Sequence, residues 1–142
     1  MFEKNYDQRL LTWAEFRKSL EESQDPISDV INLYRHAPTV RFYTDPWDES
    51  RWPTPWELLQ ENEYCEFNIV LGMYYSLQLT ERFKHTPFEI HICVDDKTSS
   101  THYLLKVGDM YIGYPDNATT THAENLPNSL SVKKIHSMDP AY

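Results

Sequence analysis

Apolar positions along this chain follow two periods, a helical one in the first half and a two-residue one in the second. Thr12-Trp13-Ala14-Glu15 has the form of a capping box, and Trp13, Phe16 and Leu20 fall on one helical stripe. Residues Met1 to Leu11 carry no clear period and read as an arm. The first helix should end by Asp25-Pro26, where Pro26 opens a second with Ile27, Val30, Ile31 and Tyr34 on one face, running to about Arg35. A brief extended piece, Val40 to Tyr43, precedes a segment from Asp45 to Leu58 dense in tryptophan and proline. There Thr54-Pro55-Trp56-Glu57 supplies an N-cap, a proline at the first helical position and a glutamate at the third, which predicts a short helix over about Pro55 to Gln60. From Asn62 to about Thr80 the apolar residues occur nearly all round the helical wheel, as in a helix buried on most sides. With Asn62 as its N-cap, Cys65 falls at about the third helical residue.

The period then changes. Phe88 to Val94 alternates and reads as a strand, closed by Asp95-Asp96-Lys97-Thr98-Ser99-Ser100. His102 to Val107 and Met110 to Tyr114 read as a hairpin about Gly108-Asp109, and Leu130 to Ile135 as a last strand. Helices first and an antiparallel sheet after make an α+β chain, with the N-terminal helices and the cysteine-bearing helix expected against the sheet. The expected organisation is one domain over 1–142, with a helical cap at 1–36, the Trp/Pro-rich segment at 37–60, and core helix and sheet at 61–142.

Composition narrows the function classes. The chain has 142 residues, 40% hydrophobic and 25% charged, which is a globular balance. Its net charge of -9 opposes non-specific binding to nucleic acid or an anionic membrane, so neither is expected as a partner. No apolar run is long enough for a membrane span and the N-terminus has no signal-like core, so the expected address is cytoplasmic. Two cysteines make no disulfide framework. The three glycines do not cluster, which excludes a phosphate-cradling loop and the nucleotide cofactors it binds. His91 and Cys93 share a strand face, but two ligands do not make a zinc site, and His85, His122 and His136 add no ligand spacing. No metal and no cofactor is expected. The Asp45, Asp48, Glu49 and Glu57 carboxylates read as a solvated rim, with a basic substrate as the sharper alternative.

What chemistry the chain offers starts from Cys65. A thiol attacks as the thiolate, and the unpaired N–H groups of a helix's first turn favour the anion and can also stabilise an oxyanion on a substrate carbonyl. A buried, inert thiol is the bland alternative. A nucleophile needs a base and a group that orients the base. His102 begins one hairpin strand and Asp116 follows the other. Strict pairing about Gly108-Asp109 sets Thr101 opposite Asp116 and turns Asp116 to the other face from His102; a bulge, or the end of pairing at Pro115, would bring the two together.

Cys65 at a helix start, His102-Tyr103-Leu104-Leu105-Lys106-Val107 on a strand, the Gly108 turn, Tyr111 to Tyr114 and then Asp116 resemble the transglutaminase-like superfamily of papain-type cysteine folds. The resemblance covers about Pro53 to Asn117. It implies a Cys65–His102–Asp116 triad acting as a cysteine acyl hydrolase or transferase on a peptide, protein or small amide or ester, without cofactor, with the indole N–H of Trp56 or Trp52 at the oxyanion hole or cleft wall. The chain departs from the family in having Tyr64 where a small residue usually precedes the cysteine, and Glu66 after it. Small members with such a Trp/Pro-rich lead-in resemble orphan proteins of phage-type genomes. The alternative reading is a catalytically silent interaction or virion-accessory module on the same fold.

Overall fold

The computed structural model describes residues 1–41 and 44–138, so Phe42 and Tyr43, the end of the expected extended piece, lie outside the described residues. The chain forms two compact units, Met1–Lys84 and His85–Tyr142.

The first unit is helical: α1 (Tyr6–Leu20), α2 (Pro26–Tyr34), a 3-10 turn (Glu49–Arg51), α3 (Pro55–Glu61) and α4 (Glu66–Gln78). Helix α1 starts seven residues earlier than the Thr12 motif predicts. Its N-cap is Asn5, whose side chain accepts from Gln8 N at 3.0 Å. The apolar stripe hides this turn because its buried position is filled by Arg9, which lies on the same face as Trp13 and Leu20. Arg9 satisfies its charge by donating to the carbonyls that end α3, Leu59 O at 2.8 Å and Gln60 O at 3.3 Å. Helix α2 begins at Pro26 as expected, capped by Asp25 through Ser28 N. Helix α3 carries the full capping box, Glu57 N to Thr54 Oγ1 and Thr54 N to Glu57 Oε1.

Helix α4 is the core of this unit, buried from Phe67 to Tyr74. Gly72 is required for its packing, because a Cβ there would lie 2.5 Å from Tyr34 Cε1. The Tyr34 hydroxyl reaches Ser76 Oγ at 3.2 Å, Ser76 also accepts from Trp13 Nε1 at 2.9 Å, and it donates to Gly72 O at 2.8 Å. One small polar centre thus joins α1, α2 and α4. Burial pushes the Tyr34 phenol up to about 12, against the hydrogen bonds from Ser76 and Trp13.

The second unit is a five-stranded antiparallel sheet in the order β4-β3-β2-β1-β5, with β1 (Phe88–Asp95), β2 (Thr101–Val107), β3 (Met110–Ile112), β4 (Thr120–His122) and β5 (Leu130–Met138). The β2–β3 register is the one the Gly108-Asp109 turn predicts, Val107 opposite Met110, with Gly108 at φ 63. One face carries Phe88, Ile90, Ile92, Leu105 and Ile112, all buried. The other mixes buried His91, Cys93 and Leu104 with Glu89, Lys106 and Tyr111. β3 ends at Ile112, short of the expected Tyr114; β5 runs three residues past Ile135; and β4, three polar edge residues, has no periodic signal to announce it. Among the described residues no helix is long and apolar enough to cross a membrane.

Candidate functional site

Asn62 is not the N-cap of the cysteine helix. It ends α3 in the left-handed region, φ 53, donating its backbone N–H to Leu58 O, which is a role asparagine fills readily because its short polar side chain tolerates that conformation. The chain then runs extended through Tyr64, whose N–H donates to Pro38 O and whose carbonyl accepts from Val40 N in a parallel bridge of Thr39 with Tyr64. Cys65 follows as the N-cap of α4, φ -74 and ψ 171, with no side-chain capping bond. It therefore stands three positions earlier than the Asn62 cap predicts. The helix N-terminus remains immediately beside it, and Ile69 N donates to its carbonyl at 3.1 Å. The cysteine is 5% exposed and reduced.

Around this turn lie three residues that bear on it. Glu66, the first helical residue, is exposed. Trp52, at the end of the 3-10 turn, packs a tilted ring on Phe67 with centroids 5.0 Å apart, which places it against the first turn of α4. Trp56, the other expected cleft-wall indole, instead leans edge-on against Trp13 of α1 at 5.7 Å and stays half-exposed. Asn68, also in that first turn, is fully buried, and its amide N and O have no hydrogen-bond partner among the described residues. Neither the burial of Asn68 nor the Arg9 bonds to the end of α3 are visible in an apolar pattern.

The second unit holds His102 and Asp116. His102 lies near the start of β2, opposite Cys93 of β1, half-buried, its ring edge-on to Tyr114 at 5.1 Å. The regular ladder stops at Leu105 opposite Ile112, and Gly113, at φ 124, breaks the alternation. A Cβ on Gly113 would collide with the Tyr103 carbonyl, so only glycine permits this approach. Tyr114 consequently meets the ring of His102, and the expected strand alternation ends at Gly113, ahead of the cis Tyr114-Pro115 bond. Asp116 is exposed at the start of the following loop, where its Oδ1 accepts from Ala118 N and Thr119 Oγ1, both at 2.9 Å.

Elsewhere in this unit His91 Nε2 and Glu89 Oε1 lie 2.7 Å apart, with Lys106 Nζ at 3.9 Å from the same oxygen. The His91 bond holds the Glu89 carboxyl below its ordinary value. Cys93 is fully buried on β1, and that burial pushes its thiol up to about 11, as expected of packing rather than reaction. Among the described residues no group of three or more His, Cys, Asp or Glu side chains is arranged to hold a metal ion.

A helical unit ending in a cysteine-capped helix, followed by an antiparallel sheet whose second strand carries a histidine at its second position, is an α+β fold. The solved structures bear this out. Calcium-bound LapG of Legionella pneumophila matches with a TM-score of 0.67 at 13% identity, over 96% of this chain and 77% of that one. A second LapG structure from the same organism matches with a TM-score of 0.63 at 14% identity, over 89% and 71%. At these identities the likeness is one of fold. No family model matches the chain. No curated protein matches it either.

Proposed function

We propose that the chain is a transglutaminase-like cysteine acyl hydrolase or transferase acting on an amide or ester of a peptide or protein, with Cys65 as nucleophile, His102 as base and Asp116 as the group that orients the base. The observation that carries the reading is the placement of Cys65 at the N-terminus of α4, with no side-chain cap competing for the first-turn N–H groups, in a chain of LapG-like fold. In this scheme His102 takes the thiol proton as sulfur attacks the carbonyl carbon, and the N–H groups at the start of α4, with the Trp52 edge beside them, receive the oxyanion. The tetrahedral intermediate collapses to a thioester as His102 returns the proton to the leaving group. Water then hydrolyses the thioester, or an amine accepts the acyl group. LapG was solved with calcium; the described residues of this chain offer no three-ligand set for that ion, and each step above uses protein groups alone.

Alkylation of Cys65 by iodoacetamide provides the test. Cys65 should be alkylated faster in the wild type than in His102→Ala at neutral pH, with Asp116→Asn falling between the two. Equal reactivity in wild type and His102→Ala would remove the catalytic reading and leave the interaction module.

A further inference from the structure

The N-terminal residues reach the lead-in to Cys65. Phe2 is 6% exposed, and its ring meets Tyr34 at 5.8 Å and Tyr64 at 5.5 Å, both edge-on. Tyr34 and Tyr64 in turn meet at 5.9 Å, so the three rings close a triangle. The Phe2 carbonyl accepts from Asn62 Nδ2 at 2.9 Å. The Lys4 carbonyl accepts from Arg9 Nη1, part of the same guanidinium that binds Leu59 O and Gln60 O. The strap is thus tied to the last turn of α3, to the residue that ends α3, and to the residue immediately before the cysteine. None of these groups takes part in the chemistry proposed above.

We propose that residues 1–4 are a strap that governs access to Cys65: seated, Phe2 holds Tyr64 and the Asn62–Tyr64 turn closed over the thiol, and unseated, it lets that turn open while the rest of the fold persists. The physical basis is the small number of contacts involved. One ring in an aromatic triangle and three side-chain hydrogen bonds, from Asn62 to Phe2 O, from Arg9 to Lys4 O and from Lys4 Nζ to Thr12 Oγ1, hold a short segment at the surface, and segments held that way open locally at lower cost than the whole domain unfolds. Tyr64 has no other aromatic contact described than Phe2 and Tyr34, and its buried hydroxyl has no hydrogen-bond partner among the described residues. Its backbone bonds to Pro38 and Val40 remain as the hinge. The large residue at position 64, where the family resemblance leads one to expect a small one, then has a use: it is the surface on which the strap sits.

The functional meaning rests on Cys65 being the nucleophile, but the test uses no substrate, so the two ideas fail separately. The rate of iodoacetamide labelling is followed at Cys65 and Cys93 by peptide mass spectrometry under native conditions, Cys93 reporting opening of the second unit. Phe2→Ala should speed Cys65 about tenfold or more with Cys93 unchanged, and Phe2→Leu should restore part of the protection. Asn62→Gly, which keeps the left-handed backbone and removes only the strap bond, should also speed Cys65 alone. An unchanged Cys65 rate in Phe2→Ala and Asn62→Gly overturns the proposal, as does a parallel rise at both cysteines in Asn62→Gly. If Phe2→Ala fails to fold, Asn62→Gly decides by the same two outcomes. His102→Ala, labelled in parallel, reports on the triad and leaves the ratio of the two cysteines in the strap variants unaffected as a measure.

Discussion

Gly72 and Asn68 sit one turn apart on α4 and answer opposite demands. At Gly72 the Tyr34 ring occupies the place of a side chain, so Gly72→Ala should lower the unfolding free energy by about 2 kcal/mol in a urea titration, with the denaturant slope unchanged. At Asn68 two amide atoms are buried without partners, an arrangement that costs about 1–3 kcal/mol. Asn68→Leu should therefore raise the urea midpoint. The Glu89–His91 pair gives the acid dependence. Because the Glu89 carboxyl is held below its ordinary value in the fold, its contribution is complete above that value and is lost as the pH falls through the folded one. Glu89→Gln should accordingly show a shallower loss of stability than wild type below about pH 4, followed by the pH dependence of the urea midpoint.

At the scale of elements, legibility depended on whether a boundary is written in side-chain capping chemistry or in a conformation. Thr54 to Glu57 is a capping box and was readable residue by residue; Thr54→Ala should cost about 1 kcal/mol of stability by the same titration. The start of α1 was not readable, because Arg9 interrupts the apolar stripe with a charge that is satisfied by carbonyls fifty residues away. The Asn62 boundary was inverted: asparagine caps either helix end, and only the positive φ distinguishes a residue that ends α3 from one that begins α4. The hairpin register followed from Gly108-Asp109, but its end at Gly113 depends on a backbone approach to Tyr103 that no periodicity encodes. Gly113→Ala should destabilise the sheet and shift the amide signals of Tyr103, Leu104 and His102 in an NMR spectrum, since both the positive φ and the contact oppose a Cβ.

For the whole molecule, the α+β order was legible because each half of the chain keeps one hydrophobic period, and the LapG structures share the fold at 13–14% identity. The candidate site was legible only as residue types. A cysteine at a helix start and a histidine at a strand start can be read from pattern; the extended N-cap geometry of Cys65, the Tyr114 ring on His102 and the aromatic seat of Phe2 arise from tertiary packing and have no local signature. The phage-type kinship expected from the Trp/Pro-rich lead-in finds no counterpart in these comparisons, which concern fold.

The sheet's outer strand has a consequence for how copies of the chain behave together. β5 pairs with β1 in two registers, Lys134 opposite Ile92 and Val132 opposite Cys93, so Lys133 is an extra residue that bends the edge, and Lys133 and Lys134 are both exposed there beside half-exposed Val132 and Ile135. A bent, charged rim is a poor template for another strand. Straightened and neutralised, the same nine residues would offer neighbouring molecules a ready surface on which to stack.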